Sequence, residues 1–199
     1  MASGAGLLVA FEGLDQSGKQ TQAERLRDRC AALGRAVQLV SFPDYATPIG
    51  IEIGRALRGE RDWSADVMQL LYIANRYEWK GAIEAARAAG GIVVCDRYMA
   101  SSVAYGDAQG LDAAWLRDAQ RHLPVPDLTV LLDIAPEVSA RRKTADRDKY
   151  ERDLALLGRV RDSYHRQAGP GWVTIGADQD RSIVAEAIWS AVAPLLASR

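Results

Sequence analysis

The chain has 199 residues, of which 48% are hydrophobic, and its 25 basic and 26 acidic side chains leave a net charge of −1. This composition predicts one globular domain that spans residues 1–199 and buries its own core. The balanced charge argues against nucleic acid or a membrane surface as a partner, because proteins that bind either usually carry a basic excess.

The sequence lacks the features that would direct the chain to a membrane or out of the cell. No apolar run approaches the ~20 residues that a membrane span needs, and residues 1–6 are too short and uncharged for a secretory signal. Cys30 and Cys95 have no histidines spaced around them as zinc ligands. We therefore expect a cytoplasmic protein with buried, reduced thiols.

Predicted strands and helices alternate along the chain. Short apolar runs predict strands at residues 7–11, 37–40, 92–95, 128–134 and 172–175. The helix after the first strand should bury Ala23, Leu26, Cys30 and Leu33. The long helix at about residues 64–88 should bury Val67, Leu70, Leu71 and Ala74. Further helices are predicted at about residues 49–57, at 101–123 (two helices), after Pro136, at 154–164 and at 180–196.

This alternation predicts an α/β fold, a five-stranded parallel sheet flanked by helices on both faces. Ligands of such sheets bind at the carboxyl ends of the strands. Unusual polar residues follow three of the predicted strands: the glycine-rich loop after the first, Asp44 after the second, and Asp96 with Arg97 after the third. We therefore expect the functional site at this edge of the sheet.

The glycine-rich loop has the spacing of a phosphate-binding loop. Gly13 and Gly18-Lys19 are separated by four residues, and they stand between an apolar strand and a helical pattern. Backbone N–H groups of such a loop and of the helix N-terminus face one anion, and the lysine adds a mobile charge for the outer phosphates. A plain turn without a ligand is the alternative, but a plain turn would not require a strand, then this glycine spacing, then a helix. We assign nucleotide phosphates to Gly13, Gln16, Ser17, Gly18, Lys19, Gln20 and Thr21.

Gln20 departs from the pattern, because serine or threonine usually offers a hydroxyl to Mg²⁺ at this position. Its carboxamide oxygen could hold the metal instead, or the task could fall to water and Asp96. Asp96-Arg97-Tyr98 closes a buried strand, where a structural ion pair is the alternative. The functional interpretation has Asp96 near the metal and Arg97 on a phosphate, whose oxygens its planar fork binds in pairs.

Residues 141–152 are dense in charge and nearly free of apolar side chains. A solvated helix face would have this composition. The segment also follows the fourth strand and its short helix, however, where a lid over the phosphates would lie. Cations on a closed lid can stabilise the transferring phosphoryl group while the lid excludes water.

Tyr72 and Arg76 share one face of the long helix, since they are four residues apart. Aromatic residues at helical spacing usually belong to a core. Here the ring could stack on a base while the guanidinium binds a base carbonyl.

These motifs together resemble the thymidylate kinases, P-loop enzymes that convert dTMP and ATP to dTDP and ADP. The resemblance covers nearly the whole chain and rests on the ordered segments 11–15, 18–19, 42–43, 74–76, 96–98, 101–105 and 126–128. It implies the P-loop NTPase fold of the nucleotide kinases with a short lid at 141–152, together with ATP, Mg²⁺ and a homodimer built from helices.

The resemblance also implies roles for individual residues. Asp15 would bind the sugar 3′-hydroxyl, Tyr72 would stack on thymine, Arg76 would bind its carbonyl, and Arg97 would hold the acceptor phosphate. Tyr105 would crowd the 2′ side of the sugar and so favour deoxyribose. The remaining acceptor-site candidates are Phe42, Pro43, Tyr45 and Ser101.

Three departures from the family pattern stand in the sequence. Gln20 replaces Ser or Thr, Tyr45 stands where an arginine often reaches the acceptor phosphate, and Gln16 stands where one branch of the family has a catalytic arginine. The catalytic cation should therefore come from the lid, with Arg142, Arg147 and Lys149 as candidates beside Lys19 and Arg97. Tyr45 leaves open a kinase for another pyrimidine (deoxy)nucleotide or a deoxynucleoside, and Gln20 a nucleotide-binding protein with weakened catalysis.

Overall fold

The structure is a computed structural model that describes residues 6–142 and 153–198. Its sheet has five strands in the order β2-β3-β1-β4-β5, and every neighbouring pair is parallel. The predicted α/β fold is confirmed. The strands are β1 (Leu7–Glu12), β2 (Val37–Ser41), β3 (Ile92–Asp96), β4 (Leu128–Asp133) and β5 (Trp172–Gly176).

Helices connect the strands, as parallel pairing requires. They are α1 (Lys19–Ala32), α2 (Pro48–Leu57), α3 (Ala65–Ala88), α4 (Met99–Ala108), α5 (Ala113–Asp118), α6 (Pro136–Arg142), α7 (Leu154–Gln167) and α8 (Arg181–Ala197). Several begin at a capping side chain that accepts from the first turn, a role taken by Thr47, Asp112, Asp153 and Asp180. None of the described helices is long and apolar enough to cross a membrane.

The central strand β1 is buried along its whole length. Leu7, Val9 and Phe11 belong to a core shared with α1, α7 and α8. Leu8 and Ala10 belong to a second core on the α3 side. Both faces of the sheet are therefore covered by helices, which explains the nearly continuous apolar strands. Both cysteines are free thiols, and both are buried.

The predicted core face of α3 is partly wrong: Leu71 packs against a buried cluster that contains Met68, but Val67 and Leu70 do not face a core. Val67 and Leu70 are 37% and 45% exposed, whereas Met68 and Ile73 are buried beside polar residues of the same helix. The reason is that α3 faces a polar cleft with its inner side, so its apolar residues do not all point inward. Leu33 is also exposed, at 61%, because α1 ends one residue earlier.

Candidate active site

The phosphate loop, residues 13–18, joins the carboxyl end of β1 to α1 and folds back through three positive φ angles, at Gly13 (136°), Gln16 (59°) and Gly18 (92°). A Cβ atom at Gly13 would lie 2.4 Å from the carbonyl oxygen of Leu132, so this position requires glycine. The sharp turn puts the start of α1 at the edge of the sheet, where its unpaired N–H groups can bind an anion.

Lys19 is held inside this loop. Its Nζ donates to the carbonyl oxygen of Leu14 at 2.8 Å, and the residue is 6% exposed. Burial and the nearby charge of Arg97 lower the pKa of Lys19 to about 8, although Asp15, Asp96 and Glu12 oppose the shift. A phosphate bound in the loop would add negative charge close to Nζ and would raise the pKa of Lys19 again.

Arg97 bridges the phosphate loop and the end of β3, in a left-handed backbone conformation (φ 64°) that is uncommon for a side chain of this size. Its Nη1 donates to Gly13 O at 3.2 Å and to Ser101 Oγ at 3.1 Å, and its Nη2 donates to Asp15 Oδ1 at 2.5 Å. The guanidinium also lies over the ring of Tyr105, 5.3 Å from its centroid. The cation is therefore fixed next to Lys19 at the mouth of the loop.

Asp15 accepts from Tyr105 as well, whose hydroxyl lies 3.1 Å from Oδ2. Burial alone would raise the pKa of Asp15, but the charges of Arg97 and Lys19 and the hydrogen bonds from Arg97 and Tyr105 outweigh it and hold this pKa well below its usual range. The carboxylate therefore stays ionised at neutral pH and can only accept hydrogen bonds.

A cleft with about 620 Å³ of empty space opens beside Arg97, and it is called the acceptor cleft below. All nine predicted substrate-binding residues line it, and Leu57, Gln69, Ser102 and Gln109 complete the wall. The nine are Asp15, Phe42, Pro43, Tyr45, Tyr72, Arg76, Arg97, Ser101 and Tyr105. Their individual roles stay predictions, but these residues come from four separate stretches of the chain and line one cleft.

Arg76 lies at the floor of this cleft and is 3% exposed. Its Nη1 donates to Ser102 Oγ at 2.7 Å and to the carbonyl oxygen of Tyr72 at 3.2 Å, which holds the side chain against α4. Its guanidinium carbon lies 6.0 Å from the ring centroid of Phe42, whose peptide bond to Pro43 is cis. Arg76 Nε is buried without a hydrogen-bond partner.

Two further polar residues of the cleft were missed from the sequence. Gln69 Oε1 and both side-chain polar atoms of Gln109 are buried without partners. Leaving a buried polar atom unpaired costs about 1–3 kcal/mol. Gln69 and Gln109 give the cleft a polar lining together with Arg76. Glutamines in helices or just after them are usually surface residues, so nothing in the sequence assigned Gln69 and Gln109 to the site.

A second cavity, of about 1260 Å³ of empty space, borders the other side of the phosphate loop. Gln16, Ser17, Gly18 and Thr21 of the predicted donor-binding set line it, and Arg142 joins them from the end of α6. Arg142 Nη1 donates to Gln16 O at 3.1 Å, so this lid candidate contacts the loop. The other two candidates, Arg147 and Lys149, lie outside the described residues.

Asp96, the last residue of β3, has an environment that suits a metal ion. Its Oδ1 is buried without a partner, as is Ser17 Oγ. The side chain of Gln20 is exposed, and its Nε2 donates to Glu24 Oε1 at 3.0 Å. Among residues 6–142 and 153–198 there is no group of three or more potential His, Cys, Asp or Glu ligands, and Mg²⁺ at phosphate sites commonly uses few carboxylates and several waters. Metal binding by Asp96 and Gln20 stays a prediction.

Asp44, expected at the site because of its position after the second strand, is instead bound within the protein. Its Oδ2 accepts from Trp79 Nε1 at 2.9 Å and its Oδ1 from Ala46 N at 3.0 Å. It does not line the acceptor cleft. Its contacts fix the turn that leads from β2 into α2.

The fold and the site define a P-loop nucleotide kinase, in which the phosphate loop and the polar acceptor cleft meet at the partly buried Arg97. The sequence model of the thymidylate kinase family matches residues 11–188. Thymidylate kinase from Caenorhabditis elegans is 36% identical over 190 residues, covering 88% of this chain and 84% of the relative. The chain belongs to the thymidylate kinase family.

Other similarities agree with this family. Thymidylate kinase from Mycobacterium tuberculosis is 34% identical over 199 residues, covering 87% of this chain and 93% of the relative. The solved structure of thymidylate kinase from Candida albicans matches with a TM-score of 0.86 at 28% identity, covering 96% of this chain and 92% of that chain. These findings confirm the predicted family, fold and activity, the phosphorylation of dTMP by ATP, and they do not favour the alternatives.

Proposed function

We propose that this chain transfers the γ-phosphoryl group of ATP to dTMP across the gap between the phosphate loop and the acceptor cleft. The observation that carries this proposal is the position of Arg97, which contacts the loop at Gly13 and the cleft at Ser101 and Tyr105. A cation at this point can touch the phosphates of both substrates, whose mutual repulsion would otherwise keep them apart.

In the acceptor cleft, Arg97 holds the phosphate of dTMP and Asp15 accepts from the sugar 3′-hydroxyl. Tyr72 stacks on thymine, and Arg76, which lines the cleft, donates to its carbonyl. Tyr105 restricts the 2′ side of the sugar. Phe42, Pro43, Tyr45 and Ser101 complete the contact surface. The shared cleft and the ionised state of Asp15 support these roles.

On the donor side, residues 13–21 hold the ATP phosphates through backbone N–H groups, and Lys19 neutralises the outer ones. An oxygen of the dTMP phosphate then bonds to the γ-phosphorus while the bridging oxygen between the β- and γ-phosphorus atoms leaves with ADP. Since the attacking oxygen is already anionic, no general base is required. Positioning and charge neutralisation carry the reaction.

Mg²⁺ fits beside the loop, because Asp96 Oδ1 is a buried, unpartnered carboxylate oxygen. Asp96 would hold the ion through water, and the carboxamide oxygen of Gln20 is the second candidate. When bound, the ion would supply further neutralisation of the donor phosphate oxygens.

We further propose that the chain is one kinase domain whose lid, residues 141–152, supplies a transition-state cation. Arg142 is the candidate supported by a contact with the loop, and Arg147 and Lys149 remain candidates from the sequence. We also propose a homodimer, because Ile51, Val67 and Leu70 expose apolar side chains on the neighbouring helices α2 and α3. The buried free thiols and the nucleotide substrates fit a cytoplasmic enzyme.

The test of the proposed acceptor is a coupled assay of ADP release with ATP, Mg²⁺ and a panel of acceptors. We expect dTMP to give the highest kcat/KM, followed by dUMP, with little turnover for dCMP or thymidine. A higher kcat/KM for any other acceptor would revive the alternative that Tyr45 leaves open. Tight ATP binding without turnover of any acceptor would favour a weakened nucleotide-binding protein.

A further inference from the structure

Glu12, the last residue of β1, is a carboxylate with no exposed surface and no assigned role. Four donors face its two oxygens. Oε1 accepts from Tyr98 N at 2.9 Å and from Ser101 N at 3.2 Å, and Oε2 accepts from Ser101 Oγ at 2.6 Å and from the Tyr164 hydroxyl at 3.1 Å. The two N–H groups can only donate, so Oε1 must accept from both, whereas the hydroxyls at Oε2 can donate or accept.

The two contacts at Oε1 tie β1 to the start of α4. Tyr98 is the N-cap residue of α4, and its side chain makes no capping hydrogen bond. Glu12 of β1 accepts from the first backbone N–H groups of α4 instead, and so caps this helix from a neighbouring strand. This explains part of the burial of Glu12. It does not explain why the second oxygen faces two hydroxyl groups.

Those two hydroxyls also contact Arg97. Its Nη1 donates to Ser101 Oγ at 3.1 Å and reaches the hydroxyl of Tyr164 at 3.4 Å. A hydroxyl has one proton, and the proton that it gives to Glu12 cannot also point at Arg97. The two hydroxyls also lie 2.9 Å from each other, so one of them can donate to the other instead of to Glu12. In each arrangement their protons stay among Glu12, Ser101 and Tyr164, and their lone pairs face the guanidinium, which has only donors.

We propose that Glu12 is a positioning residue that orients the hydroxyls of Ser101 and Tyr164 so that they hold Arg97 in place for the acceptor phosphate. Ser101 follows Arg97 at the start of α4, and Tyr164 belongs to α7, the helix that comes after the lid segment. The network thereby joins the phosphate-binding arginine to three elements of the rigid core. The inference rests on the proposed role of Arg97.

Glu12→Gln is the discriminating substitution, because it keeps shape and volume while it replaces one acceptor oxygen by a donor and removes the negative charge. If the amide nitrogen faces the hydroxyls, it donates to them and turns their protons towards Arg97. If it faces the other way, it opposes the N–H groups of Tyr98 and Ser101. Both orientations bring donor against donor and should displace the guanidinium.

The measurement is the Kd of dTMP and of ATP for the full chain, by calorimetry. We expect Glu12→Gln to weaken dTMP binding about tenfold or more, the loss typical of a misdirected hydrogen bond to a charged group. ATP binding should change by less than about twofold. Asp107→Asn is the matched control, since Asp107 of α4 also accepts from a hydroxyl of α7, that of Ser163 at 2.6 Å, but makes no contact with Arg97. It should leave both constants unchanged.

Tyr164→Phe is the second variant, in case Glu12→Gln does not fold. It removes one acceptor of Arg97 without adding a donor, so it should weaken dTMP binding by a smaller factor and again spare ATP. Normal dTMP affinity in a folded Glu12→Gln or Tyr164→Phe variant, or equal losses for dTMP and ATP, would overturn the proposal. Arg97→Ala, measured in parallel, separates the two claims: normal dTMP affinity there would instead refute the role of Arg97.

Discussion

At the scale of single residues, the site depends on two cations, the buried Lys19 and the partly buried Arg97, that differ in how they are held. Arg97 is paired with Asp15 and with oxygens of the loop, whereas Lys19 donates to one carbonyl oxygen and has a lowered pKa. Arg97 is thus fixed before substrate arrives, while Lys19 can turn from its carbonyl partner to a phosphate. The difference predicts distinct responses to mutation and to pH.

Replacing either cation by alanine should lower turnover by about two orders of magnitude or more, because each neutralises charge that moves in the transition state. Steady-state kinetics on Arg97→Ala and Lys19→Ala will measure this. Arg121→Ala is the control, since Arg121 forms an exposed ion pair with Asp118 on α5 and its loop. Near-normal kcat in either cation variant would remove that residue from the mechanism.

ATP affinity should depend on pH through Lys19. In the protein without ATP, the pKa of Lys19 is about 8, below the ordinary lysine value of 10.5. Bound phosphates favour the charged form of this side chain. Binding should therefore be strongest below pH 8 and weaken by about tenfold per pH unit above it. Calorimetry with a non-hydrolysable ATP analogue from pH 6.5 to 9.5 tests the sign.

Lys19→Arg provides the control for this titration, because a guanidinium keeps its charge over the whole range. Its affinity can be lower than that of the natural protein, but it should not fall further above pH 8. A flat profile for the natural protein, or the same decline in Lys19→Arg, would show that Lys19 is not the titrating group.

At the scale of secondary-structure elements, the strands were the easiest part of the chain to predict and the helix faces the hardest. Strands buried on both faces are nearly pure apolar runs, so periodicity locates them directly. The long helix α3 carries polar residues on its inner side and apolar ones, Val67 and Leu70, on its outer side. An apolar pattern alone cannot tell a core from a cleft or an interface.

The same outer side of α3 yields a prediction about assembly. Leu70→Asp should shift the protein towards monomer in sedimentation experiments, because it introduces a charge into the proposed apolar contact between two copies. Leu33→Asp is the control, since Leu33 is an even more exposed leucine (61%) and lies directly after α1, outside the proposed interface on α2 and α3. A monomeric natural protein, or a dimer unaffected by Leu70→Asp, would contradict the proposed interface.

At the scale of the whole molecule, the parallel sheet explains how residues distant in sequence reach one site. The phosphate loop and Arg97 follow the neighbouring strands β1 and β3, so the motifs of the sequence converge on one edge. The sequence did not reveal the strand order or the contacts of Glu12, because both depend on long-range pairing. The sequence shows only that Glu12 is the one charged residue of an otherwise apolar strand.

The most direct test of the central claim is the transfer of labelled phosphate from γ-³²P-ATP to dTMP by the purified chain, with the products separated by chromatography. The proposed function predicts that the label appears in dTDP in step with the formation of ADP, and that Arg97→Ala slows both about a hundredfold or more. Label released only as inorganic phosphate, or ADP formation independent of dTMP, would contradict the account.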